Sequence, residues 1–148
     1  MKIKIIAIDK HKLSAAQELA DEYIKRITWP IQIIDIIPKH KNQTKDAEGD
    51  LIEKHIDASQ YLICLDENGD NFTSNEFAKT LDNIVSSSKD LTLIIGGATG
   101  ISENILKLAN KKIAFGRQTW PHKFVKFMLL EQIYRAQQII KGHPYHKD

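Results

Sequence analysis

Side chains able to do chemistry crowd toward the C-terminus of this 148-residue chain: His122, Lys123, Lys126, Glu131, Arg135, Tyr145 and His146. A histidine titrates near neutrality and can move a proton. Arginine and lysine can hold a phosphate or a developing oxyanion. Glu131 and Arg135 stand four apart in the favourable acid-before-base order. That spacing fits a helix-surface ion pair of roughly 0.2–0.5 kcal/mol, or a site residue with its partner. A second chemical feature lies upstream, in Gly96-Gly97-Ala98-Thr99-Gly100. Three glycines after an apolar run mean a tight turn or a backbone that approaches a ligand closely.

Common chemistries can be set aside by spacing. The glycines read G-G-x-x-G, not the G-x-G-x-x-G of dinucleotide folds, and no Gly-Lys-Ser/Thr follows for a phosphate loop. His143 and His146 lie three apart with no Cys, Asp or Glu cluster beside them, so no metal is expected. No serine occupies a nucleophile elbow. Cys64 is the single cysteine, within Tyr61-Leu62-Ile63-Cys64-Leu65, and reads as a small packed hydrophobe.

The elements that position these residues follow from periodicity. The long helix begins near Pro121, whose fixed φ suits a first turn, and stops at Gly142 and Pro144. It spans about five turns. Its apolar positions, from Phe124 and Val125 through Phe127 to Leu130, then Ile133, Tyr134, Ala136, Ile139 and Ile140, exceed one stripe and call for two packing partners. Upstream, Lys2–Ile8, Ile31–Ile37, Tyr61–Leu65, Leu91–Ile95 and Lys112–Phe115 read as strands. Ser14 with Gln17, and Thr73 with Glu76, read as capping boxes opening helices. A helix is predicted over Asp50–Ala58, a turn over Asp66–Gly69, and a short helix capped by Ser102. Lys39–Lys45 holds no apolar residue and reads as a polar loop, a solvated connector or a contact to an RNA backbone.

Strand and helix alternate throughout, which implies one α/β domain over residues 1–148, a mostly parallel sheet with helices on both faces. Ligands in such sheets bind beyond the carboxyl ends of the strands. Three segments emerge there: Leu65–Gly69, Gly96–Gly100 and Phe115–Trp120.

Net charge is only +2, but its distribution is uneven. Residues 107–148 carry nine Lys/Arg against two Asp/Glu, a balance of +7; residues 1–106 balance at −5. The C-terminal region either meets phosphate or is a solvated basic end. No apolar run approaches a membrane span and no export leader is visible, so the expectation is a cytoplasmic protein without membrane or DNA partners.

The motif Ile95-Gly96-Gly97-x-x-Gly100, then Pro121-His122-x-x-Val125-x-x-x-x-Leu130-Glu131-Gln132-Ile133-Tyr134-Arg135-Ala136, then Tyr145-His146, resembles the ribosomal RNA large subunit methyltransferase H family. These belong to the SPOUT class, with the α/β knot fold. The resemblance spans the chain. It implies a homodimer, a C-terminal trefoil knot of SPOUT type, and S-adenosyl-L-methionine as methyl donor. The donor pocket it implies is Leu65, Gly96, Gly97, Gly100, Phe115, Gly116, Arg117, Gln118, Thr119 and Trp120. The implied substrate is 23S rRNA in the large subunit or whole ribosome, methylated at N3 of a pseudouridine.

Transfer to that nitrogen requires loss of an imide proton, so a base or anion-stabilising donors should help. His122 is the first candidate and His146 the second. Arg135, Lys126 and Lys123 would hold phosphate or an oxyanion, Tyr145 would stack on or hydrogen-bond the base, and Glu131 would orient Arg135. Four positions depart from the family pattern: Ala98-Thr99 where Pro-Glu or similar pairs are common, Lys126 for Arg, Trp120 for a smaller apolar residue, and Asp70 where a basic residue is frequent. A non-catalytic RNA-binding or ribosome-associated module would use the same basic asymmetry without a donor pocket. A flavodoxin-like nucleotide-binding domain would have no use for the Tyr-His tail.

Overall fold

The computed structural model describes residues 1–9, 14–38 and 43–145, with the Ser14 side chain also outside the description. The elements run β1 (Ile3–Ile8), α1 (Ser14–Arg26), β2 (Ile31–Ile36), α2 (Lys45–Glu53), β3 (Tyr61–Asn71), α3 (Ser74–Ser86), β4 (Leu91–Ile95), α4 (Glu103–Leu108), β5 (Lys111–Ala114) and α5 (His122–Ile140). The five strands form one sheet in the order β2-β1-β4-β3-β5, and every pair is parallel.

Strand composition explains the layering. Successive side chains point to opposite faces, so a strand covered on both sides must be apolar at every position. In β4 all five residues are buried: Leu91, Leu93 and Ile95 face one core and Ile94 the other. Thr92 is the polar exception, and its hydroxyl donates to the Gln60 side chain. The first core also takes residues of α1, α3 and α5, and the second those of α2 and α4. Helices therefore cover both faces, as the alternation implied.

Several boundaries differ from the sequence reading. Helix α2 starts at Lys45, capped by Thr44, whose hydroxyl oxygen accepts from the Ala47 amide at 3.2 Å, and it ends at Glu53 instead of Ala58. Gly49, which reads as a poor helix residue, is needed there because a Cβ would run into the Ser102 hydroxyl. Strand β3 extends to Asn71, past the predicted turn. The chain loops out over residues 66–69 and rejoins β5, so that Leu65 and Asp70 both pair with Ile113. Ser102 sits at the α4 N-cap without making a side-chain capping bond. The Thr73–Glu76 capping box forms in full. Gln17 donates to Asp21 at 2.8 Å, and the Ser14–Gln17 capping box falls on the Ser14 side chain, which lies outside the described residues. Of the Lys39–Lys45 loop, residues 39–42 lie outside the description, as does His146.

Cys64 is fully buried, and burial pushes its thiol up to about 12, consistent with a packed hydrophobe. Among the described residues no helix is long and apolar enough to cross a membrane.

From the edge strand β5 the chain turns back across the carboxyl ends of β3 and β4 and delivers α5 to the end of β1. His122 Nε2 there lies 3.7 Å from Asp9. Helix α5 then packs between α1 and α3, burying Leu129, Leu130, Ile133 and Ala136. Its N-terminal part stays uncovered: Phe124 is 56% exposed, next to exposed Trp120. Lys141 closes the helix and Gly142 follows at φ 66°, where the sequence placed the stop.

Candidate active site

Three chain segments meet beyond the carboxyl ends of β3, β4 and β5, where a parallel sheet leaves a crevice. They enclose a cavity of about 840 Å³. Leu65 to Asn68 form one wall, Gly96 to Ile101 a second, and Ile113 to Gly116 with Gln118 to His122 the third. Val125, Leu106 and Ile95 add apolar surface, and Lys45, Glu103 and Lys112 add charge.

Local sequence holds each wall. A Cβ on Gly96 would stand 2.8 Å from the Gly100 carbonyl, and one on Gly97 would stand 2.7 Å from Glu48 Oε2. Only glycine lets this turn lie flat against its own return and against α2. The Gly100 amide donates to the Gly97 carbonyl at 3.1 Å, which closes the turn. In the third wall, Trp120 Nε1 donates to the Phe115 carbonyl at 2.9 Å and folds the segment on itself. Thr119 donates to Glu67 at 3.2 Å and ties that wall to the loop inside β3. Asn68 donates its amide to Asp66 at 2.8 Å, an Asx turn that shapes the loop.

Of the residues singled out in the sequence, Leu65, Gly96, Gly97, Gly100, Phe115, Gly116, Gln118, Thr119, Trp120 and His122 line the cavity; Arg117 is exposed and does not. Lys126 is also elsewhere. It is 7% exposed, and its ammonium lies 2.6 Å from Asp35 Oδ1 and 3.4 Å from Asp9 Oδ2. That head is taken up by two carboxylates at the ends of β1 and β2, so within this chain it does not stand ready for a phosphate.

Arg135 and Tyr145 form a separate cluster. Glu131 Oε1 accepts from Arg135 Nε at 3.0 Å and Nη2 at 2.7 Å, and from the Tyr145 hydroxyl at 3.3 Å. The arginine lies over the Tyr145 ring, 5.0 Å from its centre, and Tyr145 packs edge-on against Tyr134. Burial, then a bond with Tyr23, pushes the Tyr145 phenol up to about 12, so it remains a donor at neutral pH. Glu131 Oε2 accepts from Gln132, whose carbonyl oxygen accepts from Ser74. This cluster borders a smaller cleft of about 350 Å³ that shares Ile113 to Gly116 with the main cavity.

Sequence reasoning missed Asp9 and Asp35. Asp9 directly follows β1, so the carboxyl-end rule that found the three turns also pointed to it. Among the described residues no group of three or more His, Cys, Asp or Glu side chains is arranged to hold a metal ion.

Comparison with known proteins bears on this geometry. The profile of a family described as "Predicted SPOUT methyltransferase" matches residues 1–146. Proteins named ribosomal RNA large subunit methyltransferase H are similar along their whole length. The protein of Clostridium botulinum (strain Langeland) is 38% identical over 159 residues, covering 99% of this chain and 100% of the relative. That of Rhodospirillum centenum is 36% identical over 151 residues, covering 99% of each. That of Enterococcus faecalis is 36% identical over 160 residues, covering 99% and 100%. The chain accordingly belongs to the SPOUT methyltransferases, α/β-knot enzymes.

Proposed function

We propose that this protein methylates N3 of a pseudouridine in 23S rRNA, in the large subunit or whole ribosome, as a cytoplasmic homodimer using S-adenosyl-L-methionine. The observation that carries the reading is the meeting of three turns from distant parts of the chain around one cavity with His122 at its rim. Apolar walls from Leu65, Ile95, Leu106, Ile113 and Val125, joined to turn backbone rich in amides and carbonyls, suit an adenosyl group. Asp66, Glu67 and Glu103 suit a cationic sulfonium. Leu65, Gly96, Gly97, Gly100 and the Phe115–Trp120 segment would hold the donor, with Arg117 facing outward from it. When bound, the donor supplies a methyl group on a sulfonium.

The chain's own residues handle the proton and the orientation. His122 accepts the imide proton of the base, which makes N3 a nucleophile. The names of the relatives, all ribosomal RNA methyltransferases, support the substrate class. The uncovered apolar surface at Phe124 and Trp120 supports a second copy as its cover. In that arrangement the partner subunit's Arg135 and the partner subunit's Tyr145 reach the RNA, which accounts for a cluster that does not line its own cavity. His146 follows Tyr145 in the same tail. Lys126 holds the ends of β1 and β2 in place instead of touching phosphate.

Two measurements test this. Titration calorimetry should show S-adenosyl-L-methionine binding, and mass spectrometry of large-subunit rRNA from cells lacking the protein should show one methyl group lost. Absence of donor binding would sink the proposal. An unchanged single-turnover rate in His122→Ala would remove His122 as the base.

A further inference from the structure

The carboxylate of Asp9 bridges two residues one helical turn apart on α5. Its Oδ2 lies 3.4 Å from the Lys126 ammonium and its Oδ1 lies 3.7 Å from His122 Nε2. Residues four apart share a helix face, so one acid at the end of β1 can meet both. Lys126 sits closer to Asp35, at 2.6 Å, and its charge is divided between the two acids. Oδ1 is the Asp9 oxygen that faces the imidazole.

The imidazole has little choice of proton position. Its Nε2 is buried and makes no hydrogen bond among the described residues. A neutral imidazole donates from one nitrogen and accepts at the other. A lone pair on Nε2 would face an oxygen that is itself an acceptor, whereas a proton there would face a carboxylate. The 3.7 Å gap is longer than a formed hydrogen bond, but such bonds at active sites commonly shorten when the reactants are seated.

We infer that Asp9 is a positioning residue that keeps the proton of neutral His122 on Nε2, so that Nδ1 presents the lone pair that takes up the substrate's proton. The inference rests on the reading of His122 as the base and adds what selects its reactive nitrogen. Lys126 and Asp35 complete the arrangement by fixing the Asp9 carboxylate between α5 and the sheet. Among the described residues, the charged groups facing the ring from packed elements are Asp9 from the end of β1, Lys126 from α5 itself and, behind Lys126, Asp35 from β2.

The test uses the full-length protein with nitrogen-15 labelled histidine, the His122 signals being assigned by their loss in His122→Gln. At about pH 8.5, well above the ordinary imidazole range, the wild type should give the Nε2–H pattern of nitrogen shifts. Asp9→Ala should move His122 toward a mixture of tautomers, and Asp9→Glu should retain the wild-type pattern. Single-turnover methyl transfer should fall ~10–100-fold in Asp9→Ala, with donor affinity unchanged and with recovery in Asp9→Glu. An Nδ1–H pattern in the wild type, or an Asp9→Ala spectrum identical to it, overturns the inference whatever the rate. A tautomer shift with no change in rate supports Asp9's hold on the ring and overturns the reading of His122 as base. Fold loss in Asp9→Ala would show in the remaining histidine signals, and Asp9→Asn then serves as the milder variant with the same readout.

Discussion

Replacing Gly96 by alanine tests the glycine turn at its tightest point. The new Cβ would lie 2.8 Å from both the carbonyl carbon and oxygen of Gly100, and 2.8 Å from Ile101 Cγ1. Unstrained carbon contacts begin near ~3.5 Å, so a displacement of about 0.7 Å is required. Ile101 can rotate away. Gly100 cannot, because its amide is tied to Gly97 at 3.1 Å and its carbonyl is part of the same return. Inserting a methyl group into a packed site typically costs ~1–3 kcal/mol. If the turn opens to relieve this, donor binding must close it again, and Kd for S-adenosyl-L-methionine rises about 5- to 150-fold. If the turn stays closed, the strain remains in the folded state and Tm falls by ~2–12 °C. Calorimetric titration and thermal melting of the donor-free protein separate the two cases. Affinity and Tm both equal to wild type would refute the steric reasoning and the role of the turn as a cavity wall.

Lys126→Met keeps the side-chain stem but removes the cation between Asp9 and Asp35. Breaking a buried pair costs ~3–5 kcal/mol, and the partial exposure of Asp35 places the loss near the lower bound. Urea midpoints at neutral pH should drop accordingly, and an unchanged midpoint would contradict the assignment. The Tyr145 phenol, pushed up to about 12 in the fold, binds its proton more tightly there than in the unfolded chain. Its contribution is therefore complete below about pH 10 and fades as pH rises toward 12. Spectrophotometric titration of wild type against Tyr145→Phe should show one tyrosine ionising late; its ionisation at the ordinary value would mean that the tail is not docked on Glu131. Cys64, with its thiol raised to about 12, should resist a disulfide reagent at pH 8 until the protein unfolds. Rapid modification of the native protein would contradict its burial.

The sequence made the sheet and the cavity legible where local chemistry and tertiary structure agree. Strand β4 has its predicted limits because Asp90 and Gly96 bracket an apolar run that needs cover on both faces. Helix α3 begins where Thr73 and Glu76 said it would, since both bonds of a capping box are local. Helix α2 starts earlier than its apolar residues suggest because Thr44 caps it, and only the contact with Ser102, far along the chain, explains the presence of Gly49. Asp-Glu-Asn-Gly has turn chemistry and does turn, but pairing with β5 recaptures the chain as strand, which no local signal announces. The same applies to Lys126, whose partners lie 117 and 91 residues away. Read locally it is a cation on a basic helix. The return path from β5 to the end of β1 is likewise invisible to periodicity and came from the family motif.

That return path fixes an order of events. The cavity's third wall and the leader of α5 are one uninterrupted piece, Phe115 to His122, which also carries the ring facing Asp9. A chain synthesised only as far as α4 can assemble four strands and two walls, yet has nothing to shut them. Donor retention should therefore arrive with the last helix and not before, making ligand capture a report on completed folding.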